Sequence, residues 1–278
     1  VVKQVQATVS RYRLLKHGDY IGVAVSGGKD SLTLLHILHQ ISPPHGSELV
    51  ALTVDEGIAG YRDEALRLVE AFTARLKIPL VVVSYQELYG FTLDAGLKWR
   101  RPRKVSACSI CGVLRRRALD VAAERAGVDV VAKAFNLDDM AQSFLMNLLA
   151  GDLKRIRWLD PALQKAEGFR ARTIKPLVEV YEEEVALYAY LNRIPFQEED
   201  CPYRGESIRS EVRAFLNSLE ARHPGIKHIL FKTAIKVARN LAVEPVETGR
   251  CERCGYPSTQ PVCQTCRALT LVEVNRSQ

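Results

Sequence analysis

Short apolar runs alternate with longer amphipathic stretches through the first half of the chain. The runs at Ile21 to Val25, Leu49 to Val54, Leu80 to Ser84 and Val128 to Ala132 are rich in valine, leucine and isoleucine, which predicts strands. Between them, Ser31 to Ile41, Tyr61 to Leu76 and Cys111 to Ala126 repeat apolar residues at helical spacing, which predicts helices. Apolar strands separated by helices argue for right-handed βαβ units and a parallel sheet covered on both faces. The expected fold is therefore α/β, a doubly wound, Rossmann-like parallel sheet. From Val178 onward the pattern turns helical, at Tyr181 to Asn192, Glu206 to Arg222 and Lys227 to Leu241, and no internal repeat is seen. Pro245 to Gly249 then reads as a linker into a cysteine-rich end. These breaks divide the chain into an N-terminal helical segment at 1–17, a main domain at 18–244 and a small C-terminal unit at 248–278.

The first strand opens directly into Ser26-Gly27-Gly28-Lys29-Asp30-Ser31 and from there into the first predicted helix after it. Such a junction directs backbone N–H groups and the positive end of a helix dipole at one spot. Paired glycines remove the Cβ atoms that would hold an anion off. Ser26 and Ser31 add hydroxyl donors, Lys29 adds charge, and Asp30 in the first turn offers a carboxylate to a magnesium ion. The expected guest is a phosphate. The spacing is neither GxxxxGK[ST] nor GxGxxG, which excludes a Walker-type loop and the dinucleotide fingerprint. It resembles instead the pyrophosphate loop (PP-loop) of the ATP pyrophosphatases, SGGxDS after a short apolar strand, and so implies cleavage of ATP between its α and β phosphates. Ligands of a doubly wound sheet sit at the carboxyl ends of its strands. Ala24, Val25, Val54, Asp55, Gly57 and Ala134 are therefore expected to contact the nucleotide together with the turn.

Charge changes the picture next. The chain of 278 residues carries 39 Lys and Arg against 32 Asp and Glu, a net +7, and the cations cluster. Lys98, Arg100, Arg101, Arg103 and Lys104 surround Trp99, and Lys154, Arg155 and Arg157 adjoin Trp158; Arg115 to Arg117, then Arg204, Arg209 and Arg213, form further groups. Any one cluster reads as solvated surface. Several in series, two of them with a tryptophan, favour RNA held by phosphate contacts and base stacking. No apolar stretch approaches the ~18 residues of a membrane helix. Val1-Val2-Lys3-Gln4 has no signal or transit character, so a cytoplasmic protein is expected.

The seven cysteines sort by spacing. Cys251, Cys254, Cys263 and Cys266 form CxxC, eight residues, CxxC, the layout of a zinc ribbon in which four thiolates surround one tetrahedral ion. Four thiolates leave no open position, so this site is structural. Cys108, Cys111 and Cys201 remain. A CxxC entering a helix fits a redox dithiol, a zinc site with a fourth non-cysteine ligand, or an iron–sulfur site. Three thiolates on a four-iron cluster would leave one iron open to a small ligand such as sulfide.

The order of SGGKDS, Cys108-Ser-Ile-Cys111-Gly112, Asn136-Leu-Asp138-Asp139 leading into Ala141-Gln142, Cys201-Pro202-Tyr203 and Cys251-Glu-Arg-Cys254-Gly255-Tyr256 resembles the TtuA-like tRNA 2-thiolation family. The match covers nearly the whole chain. The resemblance implies a tRNA-uridine 2-sulfurtransferase that adenylates uridine O2 with ATP and replaces it with sulfur carried on a 4Fe-4S cluster held by Cys108, Cys111 and Cys201. It implies Mg2+ and Zn2+ as further cofactors, tRNA as substrate, and a ubiquitin-like sulfur carrier with a C-terminal thiocarboxylate as partner; a homodimer stays open. Asp30, Arg115 and Asp139 are the implied catalytic residues. Arg115 lies four residues after Cys111 on one helical face, and its plain alternative is an exposed helical arginine. Asp139, implied to act through magnesium or substrate activation, has as its alternative a first-turn charge behind an Asn136 cap.

Two departures stand out. Lys133-Ala134-Phe135 replaces a common Thr-Gly-His, with Met140 at a usually acidic position. An N-terminal zinc ribbon, carried by many relatives before the segment matching Val1 to Leu15, is not in this sequence. The first departure keeps open a non-adenylating tRNA-binding paralogue. A 2-thiocytidine synthetase shares the three-cysteine set but generally lacks the C-terminal ribbon. An amide-forming synthetase of NAD or GMP metabolism shares the loop but needs none of the cysteines.

Overall fold

A computed structural model describes residues 1–98, 105–163, 168, 171–203, 208–241 and 248–272. The basic positions Arg100, Arg101, Arg103 and Lys104 with Trp99, Arg204, Glu206 at the predicted helix start, and 245–247 of the predicted linker lie outside the described residues. The chain runs α1 (Val2–Arg11), β1 (Tyr20–Ala24), α2 (Lys29–Ile41), β2 (Glu48–Asp55), α3 (Arg62–Leu76), β3 (Leu80–Ser84), α4 (Tyr85–Tyr89) and α5 (Leu93–Lys98). It continues through α6 (Ala107–Ala126), β4 (Val130–Ala132), α7 (Leu137–Leu149), α8 (Leu153–Arg157), β5 (Ala162–Leu163) and β6 (Arg172–Ile174). Then follow α9 (Glu182–Leu191), α10 (Arg209–Arg222), α11 (Ile226–Asn240), a hairpin of β7 (Gly249–Arg250) and β8 (Pro257–Ser258), and α12 (Gln264–Val272).

The main sheet has the order β3-β2-β1-β4-β6-β5. Its first five strands are parallel and β5 is antiparallel at the edge. The order reverses beside β1, with β2 and β3 on one side and β4 and β6 on the other. Ligands of such sheets bind where two neighbouring strands feed their connections to opposite sides, here at the carboxyl ends of β1 and β4. The glycine turn leaves β1 at that point, and Lys133 to Asn136 leave β4 beside it.

Side-chain alternation along β4 divides the core. Val130 and Ala132 pack with Ile21 and Val23 against Leu34, Leu35 and Leu38 of α2 and Val185 and Ala189 of α9. Val131 faces the other way and joins Leu52 and Val54 against Ile110, Leu114, Ala118 and Ala122 of α6. Continuing that alternation, Ala134 packs on the α2 side, whereas Lys133 lines a cavity against α6. A third cluster joins α7 to α8 and α11 through Leu137, Met140, Phe144, Ile156 and Phe231. Met140 is buried there, so an acidic residue at this position would be a charge in an apolar contact.

The C-terminal segment docks on α6. Ala268 and Val272 of α12 join the α6-side core, the Arg117 guanidinium lies 3.6 Å over the Tyr256 ring, and the Tyr256 hydroxyl donates to Asp120. Among the described residues, no helix is long and apolar enough to cross a membrane.

Candidate active site at the switch point

Gly27 takes φ +92°, and a Cβ there would stand 2.8 Å from the Cβ of Ala65 and 3.0 Å from its carbonyl oxygen. Any side chain would be strained and would collide with α3. Gly28, with extended backbone, is the N-cap of α2, and no side chain caps that end. The first N–H groups of α2 are thus presented at the crevice, the arrangement that favours an anion. The serines mostly hold the turn itself: the Ser26 N–H donates to Ser31 Oγ at 3.1 Å, and that hydroxyl donates to the Gly28 carbonyl at 2.9 Å. Val25 and Val54, both buried, form the rim beneath the turn. Ala24 packs on the α6 side of the sheet. Asp55 accepts the Gly57 N–H at 2.8 Å, so its carboxylate shapes the turn after β2.

Three carboxylates face the turn. Lys29 Nζ lies 3.1 Å from Asp30 and 2.8 Å from Glu182. Burial opposes the charge on Lys29, yet these two carboxylates hold its pKa above the ordinary lysine value. Asn136 reaches across the crevice, donating from Nδ2 to Asp30 at 3.1 Å. The same side chain caps α7 by accepting the Asp139 N–H at 2.9 Å, and Asp139 returns the bond in a capping box. Asp139 is therefore both a cap and a rim carboxylate. Burial first, then the charge of Asp30, pushes its pKa up to about 6 against the pull of Arg209, 3.7 Å away. Glu182 carries no sequence signal of this role, because three successive acids opening α9 read as dipole-compatible surface.

Glu56 is the second residue that sequence reasoning missed. It is buried, ion-paired to Arg62 Nε at 3.1 Å and to Arg115 Nε at 2.6 Å. Arg62 NH1 donates to the Ser26 carbonyl at 2.5 Å, and Arg115 NH2 donates to Cys111 Sγ at 3.3 Å. A charged chain thus runs from the glycine turn through Arg62, Glu56 and Arg115 to Cys111. Arg115 is placed at the cysteine end of this chain. The only sequence signal for Glu56 was its place after β2.

Cys108 and Cys111 both lie near the start of α6 because Ser106 accepts the Ser109 N–H and begins the helix at Ala107, ahead of the predicted Cys111. Cys108 Sγ donates to the Tyr203 carbonyl at 3.1 Å, and Cys201 and Tyr203 pack in the same cluster as Cys111. Burial pushes the Cys111 thiol up, and Arg115 opposes that shift. Their three sulfur atoms do not gather within 4.8 Å of one another, as ligands of a single ion would, whereas ligands of a multi-iron cluster each take a different iron. The C-terminal cysteines do converge. All four sulfur atoms lie within 4.8 Å of one another, with Cys251 to Cys266 at 3.8 Å and Cys254 to Cys263 at 3.7 Å. A tetrahedron of Zn–S bonds of ~2.3 Å requires sulfur separations of ~3.8 Å. Among the described residues no other group of three or more His, Cys, Asp or Glu gathers this tightly.

The family described as the PP-loop domain (ATP_bind_3) matches residues 1–220. The protein named cytoplasmic tRNA 2-thiolation protein 1 from Xenopus laevis is 36% identical over 274 residues, covering 96% of this chain and 78% of the relative. Its namesake from Drosophila melanogaster is 36% identical over 268 residues, with the same coverages of 96% and 78%. Among solved structures, the U34-tRNA thiolase NcsA from Methanococcus maripaludis with its [4Fe-4S] cluster superposes with a TM-score of 0.83 at 30% identity, covering 99% of this chain and 89% of that one.

Proposed function

We propose, since this chain belongs to the PP-loop domain family and to the tRNA 2-thiolation proteins within it, that it activates O2 of a tRNA uridine with ATP, releases AMP and pyrophosphate, and leaves sulfur in place of oxygen. The observation that carries this reading is the crevice itself: an uncapped glycine turn with Asp30 faces Asn136 and Asp139 across the β1/β4 switch, with a charged chain leading from it to Cys111. The cytoplasm, named for the relatives, is the expected compartment.

Uridine O2 is a poor leaving group, and transfer of AMP to it makes departure feasible. The amides of α2 receive the phosphates, and Lys29 offsets charge on the departing pyrophosphate. Asp30 holds Mg2+ against the same phosphates. As O2 attacks the α-phosphate and the bond to pyrophosphate breaks, the N3 proton must leave. Asp139, its pKa pushed up to about 6, is suited to take it and to return it once sulfur has replaced oxygen and AMP has gone. When bound by Cys108, Cys111 and Cys201, a [4Fe-4S] cluster supplies an iron free of protein thiolate at which sulfur can be held. Arg115 offsets negative charge at Cys111. A ubiquitin-like protein with a C-terminal thiocarboxylate delivers the sulfur, and Zn2+ on Cys251, Cys254, Cys263 and Cys266 holds the ribbon.

Lys133 and Ala134 do not support the non-adenylating alternative, because Lys133 faces the α6-side cavity and Ala134 packs on the α2-side core. The test is reconstitution with cluster, tRNA transcript, ATP and sulfide. The expected products are 2-thiouridine by mass spectrometry with stoichiometric AMP and pyrophosphate, all lost in Asp30→Ala. Thiolation without AMP release, or neither product while tRNA and cluster remain bound, would refute the assignment.

A further inference from the structure

A cavity of about 640 Å³ lies on the α6 side of the sheet, among α6, the ends of β4 and β6, α8 and α12. The glycine turn, Asp30 and Asp139 are not among its lining residues, but Arg209, 3.7 Å from Asp139, is, so the cavity adjoins the crevice. Six cations do: Arg116, Lys133, Arg155, Lys175, Arg209 and Arg267. No carboxylate among the described residues shares the lining. Compensation comes from behind and is partial. Asp152 pairs with Arg155 at 3.1 Å and Asp139 stands 3.7 Å from Arg209, while Asp120, held by the Tyr256 hydroxyl, is shared by Lys133 and Arg116.

Lys175 is the sharpest case. It is 5% exposed, and its ammonium donates to two backbone carbonyls, those of Trp158 and, at 3.1 Å, Asp160. Burial, and then the neighbouring charge of Lys133, pushes its pKa down to about 7. Burial likewise lowers Lys133. Two poorly compensated ammonium groups at one wall are costly unless an anion meets them. At the opening, Trp158 is 60% exposed although it is one of only two tryptophans, and its own carbonyl anchors Lys175. Cys108 lines the same space, so the cavity opens beside the three-cysteine site.

We propose that this cavity receives an unstacked nucleotide of the tRNA substrate, its phosphate between Lys133 and Lys175 and its base against the Trp158 indole. The volume is that of a small-ligand pocket, and looped RNA is bound by exactly such a pairing of phosphate contacts and aromatic stacking once a base is splayed out. The proposal rests on the reading of this chain as a tRNA thiolase.

The test uses the full chain with its cluster and an unmodified tRNA transcript, titrated across a range of salt. Lys133→Ala should weaken tRNA binding roughly tenfold and lower the slope of log affinity against log salt by about one, and Lys133→Arg should restore both. Trp158→Ala should also weaken binding roughly tenfold but keep the wild-type slope, since stacking releases no counterion. ATP affinity and the visible absorption of the cluster should stay at wild-type values in all three. A Lys133→Ala protein with wild-type affinity and slope overturns the assignment while leaving the thiolase reading standing. Weakened ATP or pyrophosphate binding in place of tRNA binding overturns it in favour of a nucleotide-derived phosphate. Wild-type protein that fails to bind tRNA overturns both readings.

Discussion

At the scale of single residues, the rim carboxylates are not equivalent. Asp139 is buried beside Asp30 and Glu182 with Arg209 as its partial counter-charge, and its pKa rises to about 6 as a result. A carboxyl raised in the folded state binds its proton more tightly there than in the unfolded chain, so ionising it costs stability as pH rises from the ordinary aspartate range through about 6. The proton-acceptor role proposed for Asp139 would account for a charge kept at that cost. Two opposite consequences are expected of Asp139→Asn, which keeps the α7 cap. Thiolation, which in the wild type should climb as pH passes about 6 and then level off, should be lost by two or more orders of magnitude. Stability at neutral pH in Mg2+-free buffer should rise by about 1–3 kcal/mol, and the fall in stability between acid and neutral pH should flatten. Urea melts at both pH values check the second outcome; an Asn variant less stable than wild type at neutral pH would show that Asp139 serves mainly as a cap.

At the scale of elements, α6 ties the two groups of cysteines together. Its N-terminal turns carry Cys108 and Cys111, and farther along it Arg117 and Asp120 hold Tyr256 of the C-terminal segment. That segment has two strands of two residues and one short helix, too little to bury a core of its own, so its fold depends on the four sulfur atoms. Gln264 and Arg267 of α12 also line the basic cavity. Removing zinc with a chelator should therefore abolish amide-exchange protection over 248–272 and weaken tRNA binding several-fold. Protection in β1, β2 and β4, and ATP binding at the switch point, should persist because the pairing of these strands does not involve the ribbon. Exchange mass spectrometry reads both halves at once. A ribbon still protected after the metal has left would mean that docking on α6, and not zinc, holds it.

At the scale of the whole molecule, what the sequence made legible follows from range. The four long apolar runs and the glycine turn are local patterns, and the structure reproduces them to within a few residues, with Asn136 meeting Asp30 at the turn. The converging sulfur atoms were legible for the same reason, because two CxxC pairs fix their own geometry. β5 and β6 were not, being two and three residues long and made strands only by pairing, β6 with β4 from before α7 and α8, and β5 with β6. Glu56 was not, because its role exists only where α3 and α6 both approach the end of β2. It is also the residue on which the two halves of the site depend. Glu56→Gln keeps the shape but leaves Arg62, 4% exposed, as a buried charge without its carboxylate, a change that costs about 3–5 kcal/mol when a buried pair is broken. Arg115 is half exposed and water can replace its share. Because Arg62 also fixes the Ser26 carbonyl and Arg115 meets Cys111, loosening Glu56 should weaken ATP binding and cluster retention together, each by about tenfold. Arg115→Lys, which keeps the charge but loses the fork that spans Glu56 and Cys111, should impair the cluster more than ATP binding. Calorimetric ATP titration and anaerobic iron content in both variants decide it: a Glu56→Gln protein that melts earlier yet binds ATP and holds iron like the wild type would reduce the charged chain to scaffolding.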